Sequence, residues 1–134
     1  DYDNGGQVIN YYNTTNIAFS PNTVAGGSIN ITPVKNGELS LMSKYVSRQY
    51  LDNTGKKSRS LNSYYIQDIR LSYLLQGKLF KTTTIIAQLN NVFSNMYEPN
   101  GYSFSYIYGG NLTTENYYFP MALINFMLGV NIKL

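Results

Sequence analysis

Apolar residues recur at every second position through much of this chain. The final stretch shows it most fully. Ile124, Phe126, Leu128, Val130, Ile132 and Leu134 form one apolar row, and Asn125, Met127, Gly129, Asn131 and Lys133 fill the alternate positions. A period of two puts such rows on opposite faces of an extended strand. Ile29 and Ile31 alternate with Ser28, Asn30 and Thr32. Leu39, Leu41 and Tyr45 stand against Glu38, Ser40, Lys44 and Arg48. Ile69, Leu71, Tyr73 and Leu75 stand against Asp68, Arg70 and Ser72, and Ile85, Ala87 and Leu89 against Thr84, Gln88 and Asn90. The pattern predicts extended chain over 15–33, 38–50, 62–76, 82–92 and 123–134.

The residues between these segments read as connections. Val34-Lys35-Asn36-Gly37 carries the Asn-Gly pair that favours a tight hairpin, and Gly77-Lys78 makes a second short turn. Gly26-Gly27 predicts a bend or bulge within the first strand. Residues 52–60 form a charged loop, and 93–122 a long polar and aromatic connection. In antiparallel strands successive connections fall at alternate edges. The short turns and the C-terminus therefore share one edge and the long loops the other. The expected class is all-β, an antiparallel meander of five strands.

The long connection contains a hairpin of its own. Tyr102, Phe104, Tyr106 and Tyr108 alternate with Ser103, Ser105 and Ile107, and Gly109-Gly110-Asn111 turns the chain into 112–119. Tyr117 and Tyr118 join these four as candidate ligand-binding residues, because aromatic side chains combine contact area with a polar tip.

An apolar row can be buried in protein or in lipid. Strands of about 9–11 residues are long enough to cross a bilayer at a tilt. The polar rows are mostly Asn, Ser, Thr and Gln, which suits a wet lumen. Aromatics gather near strand ends and loop bases at Tyr45, Tyr50, Tyr64, Tyr65, Phe93 and Tyr97, as in interfacial girdles. Charged residues make up only 13% of the 134, against roughly 25% in soluble domains, while 14 Tyr and 6 Phe raise the aromatic share. Lipid-facing positions are then Leu39, Leu41, Ile69, Leu71, Phe126, Leu128, Val130 and Ile132. Five strands do not close a membrane barrel, whose smallest examples have about 8. The start Asp1-Tyr-Asp-Asn-Gly-Gly reads as the middle of a loop, so a longer parent chain is expected.

The chemistry is sparse. With no His and no Cys, nucleophile pairs and thiolate metal sites lack their usual members, and the acidic residues show no acid/base spacing. No enzyme activity, cofactor or metal is expected. A net charge of +3 is too weak to argue for nucleic acid. Asp68 and Arg70 share a face and read as a lumenal charge pair. Lys56-Lys57-Ser58-Arg59 reads as a solvated loop, or as a contact for anionic lipopolysaccharide.

Several stretches carry a family likeness. Leu89-Asn-Asn-Val-Phe-Ser-Asn-Met-Tyr97 resembles a segment near the end of TonB-dependent outer-membrane receptors. Tyr97 to Tyr106, Glu115 to Pro120 and Asn125 to Leu134 resemble the closing segments of such receptors from Bacteroidetes-type bacteria, and Asn16 to Pro21 and Ser43 to Thr54 are similar too. The likeness implies the last five strands of a 22-stranded barrel in the outer membrane of a Gram-negative bacterium, with long extracellular loops and short periplasmic turns. It also implies active uptake of a scarce nutrient: a siderophore, haem, cobalamin or a glycan. The implied partners are the rest of the barrel and its plug domain, the TonB complex acting through an upstream region, outer-membrane lipid, the small-molecule or glycan ligand, and the barrel-assembly machinery through residues 123–134. Leu134 departs from the terminal aromatic usual in that family. A soluble, secreted all-β binding or adhesin module is the alternative.

Overall fold

The computed structural model describes residues 2–3, 6–7, 9–77 and 81–133. Lys78 of the second predicted turn and the terminal Leu134 lie outside the described residues. The chain is all-β and antiparallel, and it divides into two units, each built from separated stretches of sequence.

The first unit comprises Thr23–Val46, Tyr64–Met96 and Ala122–Leu134. It holds a five-stranded sheet of β1 (Val24–Val34), β2 (Gly37–Val46), β3 (Tyr64–Leu75), β4 (Thr82–Asn90) and, later in the chain, β7 (Asn125–Lys133). Its order, β7-β4-β3-β2-β1, is a meander with β1 and β7 at the edges. The register aligns the apolar positions across all five strands. One row runs Ile29, Leu41, Ile69, Leu89, Phe126, and the next Ile31, Leu39, Leu71, Ala87, Leu128. A third continues through Tyr73, Ile85 and Val130. Toward the other end of the same face, Tyr45 lies opposite Tyr65, whose ring centroid is 6.2 Å from that of Phe93. Tyr65 and Tyr73 are eight residues apart, about 27 Å along the strand at roughly 3.4 Å per residue. The opposite face carries Asn30, Ser40, Arg70, Gln88 and Met127 in one row, and Glu38, Ser72, Ile86 and Gly129 are in register in the next.

Little of this apolar surface is hidden. Among the described residues only Val46, Leu51 and Leu61 are buried hydrophobics, whereas Ile29, Leu71, Phe126, Leu128 and Val130 are each more than half exposed. Among the described residues no helix is long and apolar enough to cross a membrane, which leaves strand crossing untouched.

Three local expectations are corrected. The strand predicted from residue 15 begins only at Val24, because the backbone before it bonds elsewhere: Ala18 N–H donates to Asn53 Oδ1 and Phe19 N–H to the Tyr50 carbonyl, with Phe19 at φ 58°. Gly26 and Gly27 pair in register with Lys44 and Ser43. The irregularity falls instead between Ile31 and Val34, where Pro33 has no N–H to give the ladder and an edge strand tolerates it. Strand β2 ends at Val46, so Arg48 lies beyond it and is not on its polar face. The Lys35-Asn36 turn closes β1 onto β2 with Asn36 in the left-handed region at φ 64°, which Asn tolerates.

The second unit comprises Asp1–Asn22, Ser47–Ser63 and Tyr97–Met121. Its main element is the hairpin of β5 (Asn100–Tyr108) and β6 (Asn111–Phe119). Gly109 and Gly110, at φ 58° and 78°, make the two-residue turn whose central positions both require positive φ. Leu51 and Leu61 are buried here at 4% and 1% exposure. A short pairing of Gln49–Tyr50 with Ser60–Leu61 brackets the loop, which includes one turn of 3-10 helix at Lys57–Arg59.

Candidate functional site

The pairing of β5 with β6 sorts the hairpin side chains into two faces. Tyr102 lies opposite Tyr117, Phe104 opposite Glu115, Tyr106 opposite Thr113 and Phe119 opposite Asn100. Because alternate residues share a face, Tyr102, Phe104, Tyr106, Tyr117 and Phe119 come together. Tyr102 and Tyr117 have ring centroids 5.0 Å apart and planes within 11°; Phe104 and Tyr117 are 6.0 Å apart and within 6°. Phe104 to Tyr106 at 5.9 Å and Tyr102 to Phe119 at 6.1 Å extend the cluster. These five rings remain 40–53% exposed.

Glu115 stands among them. Tyr106 Oη donates to its Oε1 at 2.8 Å and Tyr117 Oη to its Oε2 at 2.6 Å. The Tyr117 bond first, then that from Tyr106, holds the Glu115 carboxyl below its ordinary range. Reciprocally, donation to Glu115 raises both phenols above theirs. The face thus combines aromatic surface with one ionised carboxylate.

Of the six predicted hairpin residues, Tyr102, Phe104, Tyr106 and Tyr117 form this cluster. Tyr108 shares the face but sits at the turn, 78% exposed. Tyr118 stands apart from the cluster: it pairs with Gly101 on the opposite face, since neighbours in a strand point to opposite sides. A Cβ at Gly101 would lie 2.5 Å from the Tyr117 carbonyl oxygen and 3.3 Å from both Leu61 and Tyr118. Only glycine fits that approach.

The opposite face of the hairpin is tied to the loop 52–60. Arg59 Nη1 pairs with Asp52 Oδ2 at 2.7 Å, and its Nη2 donates to Thr114 Oγ1 at 2.7 Å. Asn116 Nδ2 donates to the Ser58 carbonyl at 2.8 Å. Arg59 is therefore not part of a free basic run with Lys56 and Lys57; it clasps the loop to β6. Beside it is a polar cleft of about 400 Å³ lined in part by Tyr12, Thr54, Lys56, Arg59 and Ser105.

In the sheet unit, the predicted Asp68–Arg70 pair is also corrected. Among the described residues the ion pair is Arg59–Asp52, and Asp68 Oδ1 instead accepts from the Asn91 N–H at 2.8 Å. Asn91, 3% exposed and at φ 49°, is a node that sequence reasoning missed. Its Nδ2 donates to the carbonyls of Asn95 and Ala122 at 2.9 and 3.2 Å, and its Oδ1 accepts from Asn95 N–H at 3.1 Å. Val92 N–H reaches the Gln67 carbonyl and Asn95 Nδ2 that of Tyr65. The run Leu89 to Tyr97 thus encodes a hydrogen-bonded exit from β4. The predicted lipid-facing Leu39, Leu41, Ile69, Leu71, Phe126, Leu128, Val130 and Ile132 all fall on the one apolar face described above. Among the described residues no group of three or more His, Cys, Asp or Glu is placed to hold a metal ion. Comparison with models of known families, with curated proteins and with solved structures finds no match to this chain.

Proposed function

We propose that this chain is wall and outer-loop structure of a 22-stranded outer-membrane barrel that takes up a scarce nutrient with energy from a TonB complex. The observation that carries the membrane part of the reading is the sheet's apolar face. Two aligned apolar rows cross all five strands and a third continues over three. None of their residues is buried, and Ile29, Leu71, Phe126, Leu128 and Val130 are more than half exposed, with tyrosines toward both ends. A soluble protein pays for exposed apolar surface of that extent, whereas a bilayer rewards it. The opposite face, with Ser40, Arg70, Ser72 and Gln88, would line the lumen. Both edge strands would pair with strands supplied by the remainder of the barrel, because open backbone in lipid is costly.

The transport part rests on the likeness of residues 16–134 to the closing strands of TonB-dependent receptors. On that reading the connections 47–63 and 91–124 face outward, toward a siderophore, haem, cobalamin or glycan. The short turns face the periplasm, and residues 123–134 meet the assembly machinery. The plug and the TonB-contacting segment belong to other parts of the receptor.

This chain has no Cys, so single cysteines report each face once any cysteine elsewhere in the receptor is replaced. In the receptor assembled in cells, cysteines at Ser72 and Gln88 should react with a water-soluble maleimide. Those at Leu71 and Leu128 should resist it and instead have attached fluorophores quenched by lipid-borne quenchers. Equal aqueous reactivity of both sets would overturn the membrane reading. Recovery of the chain as a soluble monomer with one cooperative melt would favour a secreted all-β binding or adhesin module.

A further inference from the structure

We propose that the aromatic face of the β5–β6 hairpin is a docking surface for an extended, arginine-bearing peptide, with Glu115 as the counter-ion for a guanidinium laid against the rings. The proposal concerns this hairpin's own face and does not depend on whether the five-stranded sheet lies in lipid.

Charge complementarity selects the occupant. Glu115 is the only charged residue on this face, among Tyr102, Phe104, Tyr106, Tyr117 and Phe119. An ionised carboxylate offers about four lone-pair positions. The two phenols occupy one on each oxygen, which leaves acceptor capacity on both for a ligand. Such a carboxylate with π surface around it suits a cation that is flat, weakly hydrated and able to donate two parallel hydrogen bonds. Guanidinium has all three properties, whereas ammonium is compact and strongly hydrated. A neutral glycan could stack on the rings, but it would gain nothing from the charge. The phenols also fix the carboxylate before the ligand arrives, so less order is lost on binding.

Shape selects an extended ligand. Four cross-strand rows, from Phe119 to Tyr106, present the surface on two strands. At two residues per row the span is about 20 Å, the length of roughly six residues of extended peptide. The surface is therefore longer than a single amine or amino acid could cover.

The test measures binding of a fluorescein-labelled peptide of alternating arginine and glycine to the full chain in detergent micelles, by fluorescence anisotropy. The glutamine–glycine counterpart and unlabelled maltohexaose are compared as competitors. Glu115→Gln keeps the size and an acceptor oxygen for the phenols but removes the charge. It should weaken the arginine peptide by about tenfold or more, as expected for loss of a charge-assisted hydrogen-bonded pair. Thr113→Lys places a positive charge on the same face, opposite Tyr106, while leaving Glu115 and every ring of the cluster in the chain, and it should weaken binding as well. Ile107→Thr, on the opposite face, should leave binding unchanged. Added salt should weaken the arginine peptide, and the glutamine peptide should compete at least about tenfold less well.

The proposal is overturned by an unchanged affinity in both Glu115→Gln and Thr113→Lys. It is also overturned by tighter binding of maltohexaose, or by self-association of the chain that the same two substitutions abolish. Tyrosine near-ultraviolet circular dichroism reports whether each variant keeps the stacked cluster, and Thr113→Lys decides the matter if Glu115→Gln loses it. Loss of peptide binding with the cysteine-reactivity pattern intact counts against this proposal alone; the converse counts against the membrane reading alone.

Discussion

The sheet and the hairpin are both antiparallel ladders with one apolar face left open, yet their open faces differ in kind. The sheet's rows are aliphatic across Ile29, Leu41, Ile69 and Leu89, with no ionised group among them. The hairpin's rows are aromatic, with ionised Glu115 hydrogen-bonded in their midst. Hydrophobic alternation is the same in both and says only that a face is apolar. Side-chain chemistry then separates the solvents or partners each face suits. Hydrocarbon accepts branched aliphatics and rejects a carboxylate. A wet, polar-tipped partner makes use of tyrosine and glutamate.

The largest test of that contrast is a charge placed on each face of the sheet. On the membrane reading, Leu71→Arg should cost about 2–4 kcal/mol, the range for a basic residue on the lipid face near the bilayer midplane. Ser72→Arg, one residue along and facing the other way, should be tolerated. The measurement is the level of heat-modifiable receptor in the outer membrane and its urea midpoint. Equal loss in both would erase the distinction between the faces. The same substitution beside the hairpin rings, where water reaches the surface, should have no comparable effect on assembly.

A second test addresses the exit from β4. Asn91→Ala removes the side chain that holds Asn95 and Ala122 and leaves a non-glycine residue at positive φ. It should destabilise the sheet unit by roughly 1–3 kcal/mol, the cost of orphaning buried polar groups. Asn91→Gly keeps the backbone freedom and should recover part of that. A urea melt of both variants, with no difference from the parent, would make the network incidental.

How far the fold was legible follows from which interactions are local. The five strands, the turn at Lys35-Asn36 and the glycine turn of the hairpin rest on period two and on residues that tolerate positive φ, all visible within a few positions. The same rule already puts Tyr117 and Tyr118, both candidate ligand-binding residues by sequence, on opposite faces of β6. Glu115 could be placed only once the hairpin register set it opposite Phe104. Asn95 is only four residues from Asn91, but the node was hidden because its other partners, Asp68 and Ala122, are 23 and 31 residues away. Ile17 and Phe19 look like strand residues by pattern, but backbone bonds to the loop 47–63 outweighed that local preference.

The smallest expected effect lies in the clasp beneath the hairpin, where electrostatics has least to give. Burial alone would raise the Asp52 carboxyl, but the hydrogen bonds from Arg59 and Thr54 outweigh it and hold the group below its ordinary 3.8. A folded pKa below the unfolded one means that the stabilisation is fully present above the ordinary value. It is lost as pH falls through the lower, folded one. The pair is partly exposed, with side-chain exposures of 14% for Arg59 and 24% for Asp52, so screening limits it to about 0–1 kcal/mol. Asp52→Asn should lower hairpin-unit stability by no more than that at neutral pH, and the variant should lose less stability than the parent on acidification. Hydrogen exchange at Thr114 and Asn116 amides, followed from neutral pH downward with correction for intrinsic rates, reads it directly. Glu115 titrates in the same acid window and from the same hairpin, so the comparison must be repeated in Glu115→Gln. If the acid sensitivity survives there and vanishes in Asp52→Asn, it belongs to the clasp. If it vanishes with Glu115 instead, the aromatic face holds the hairpin's pH response.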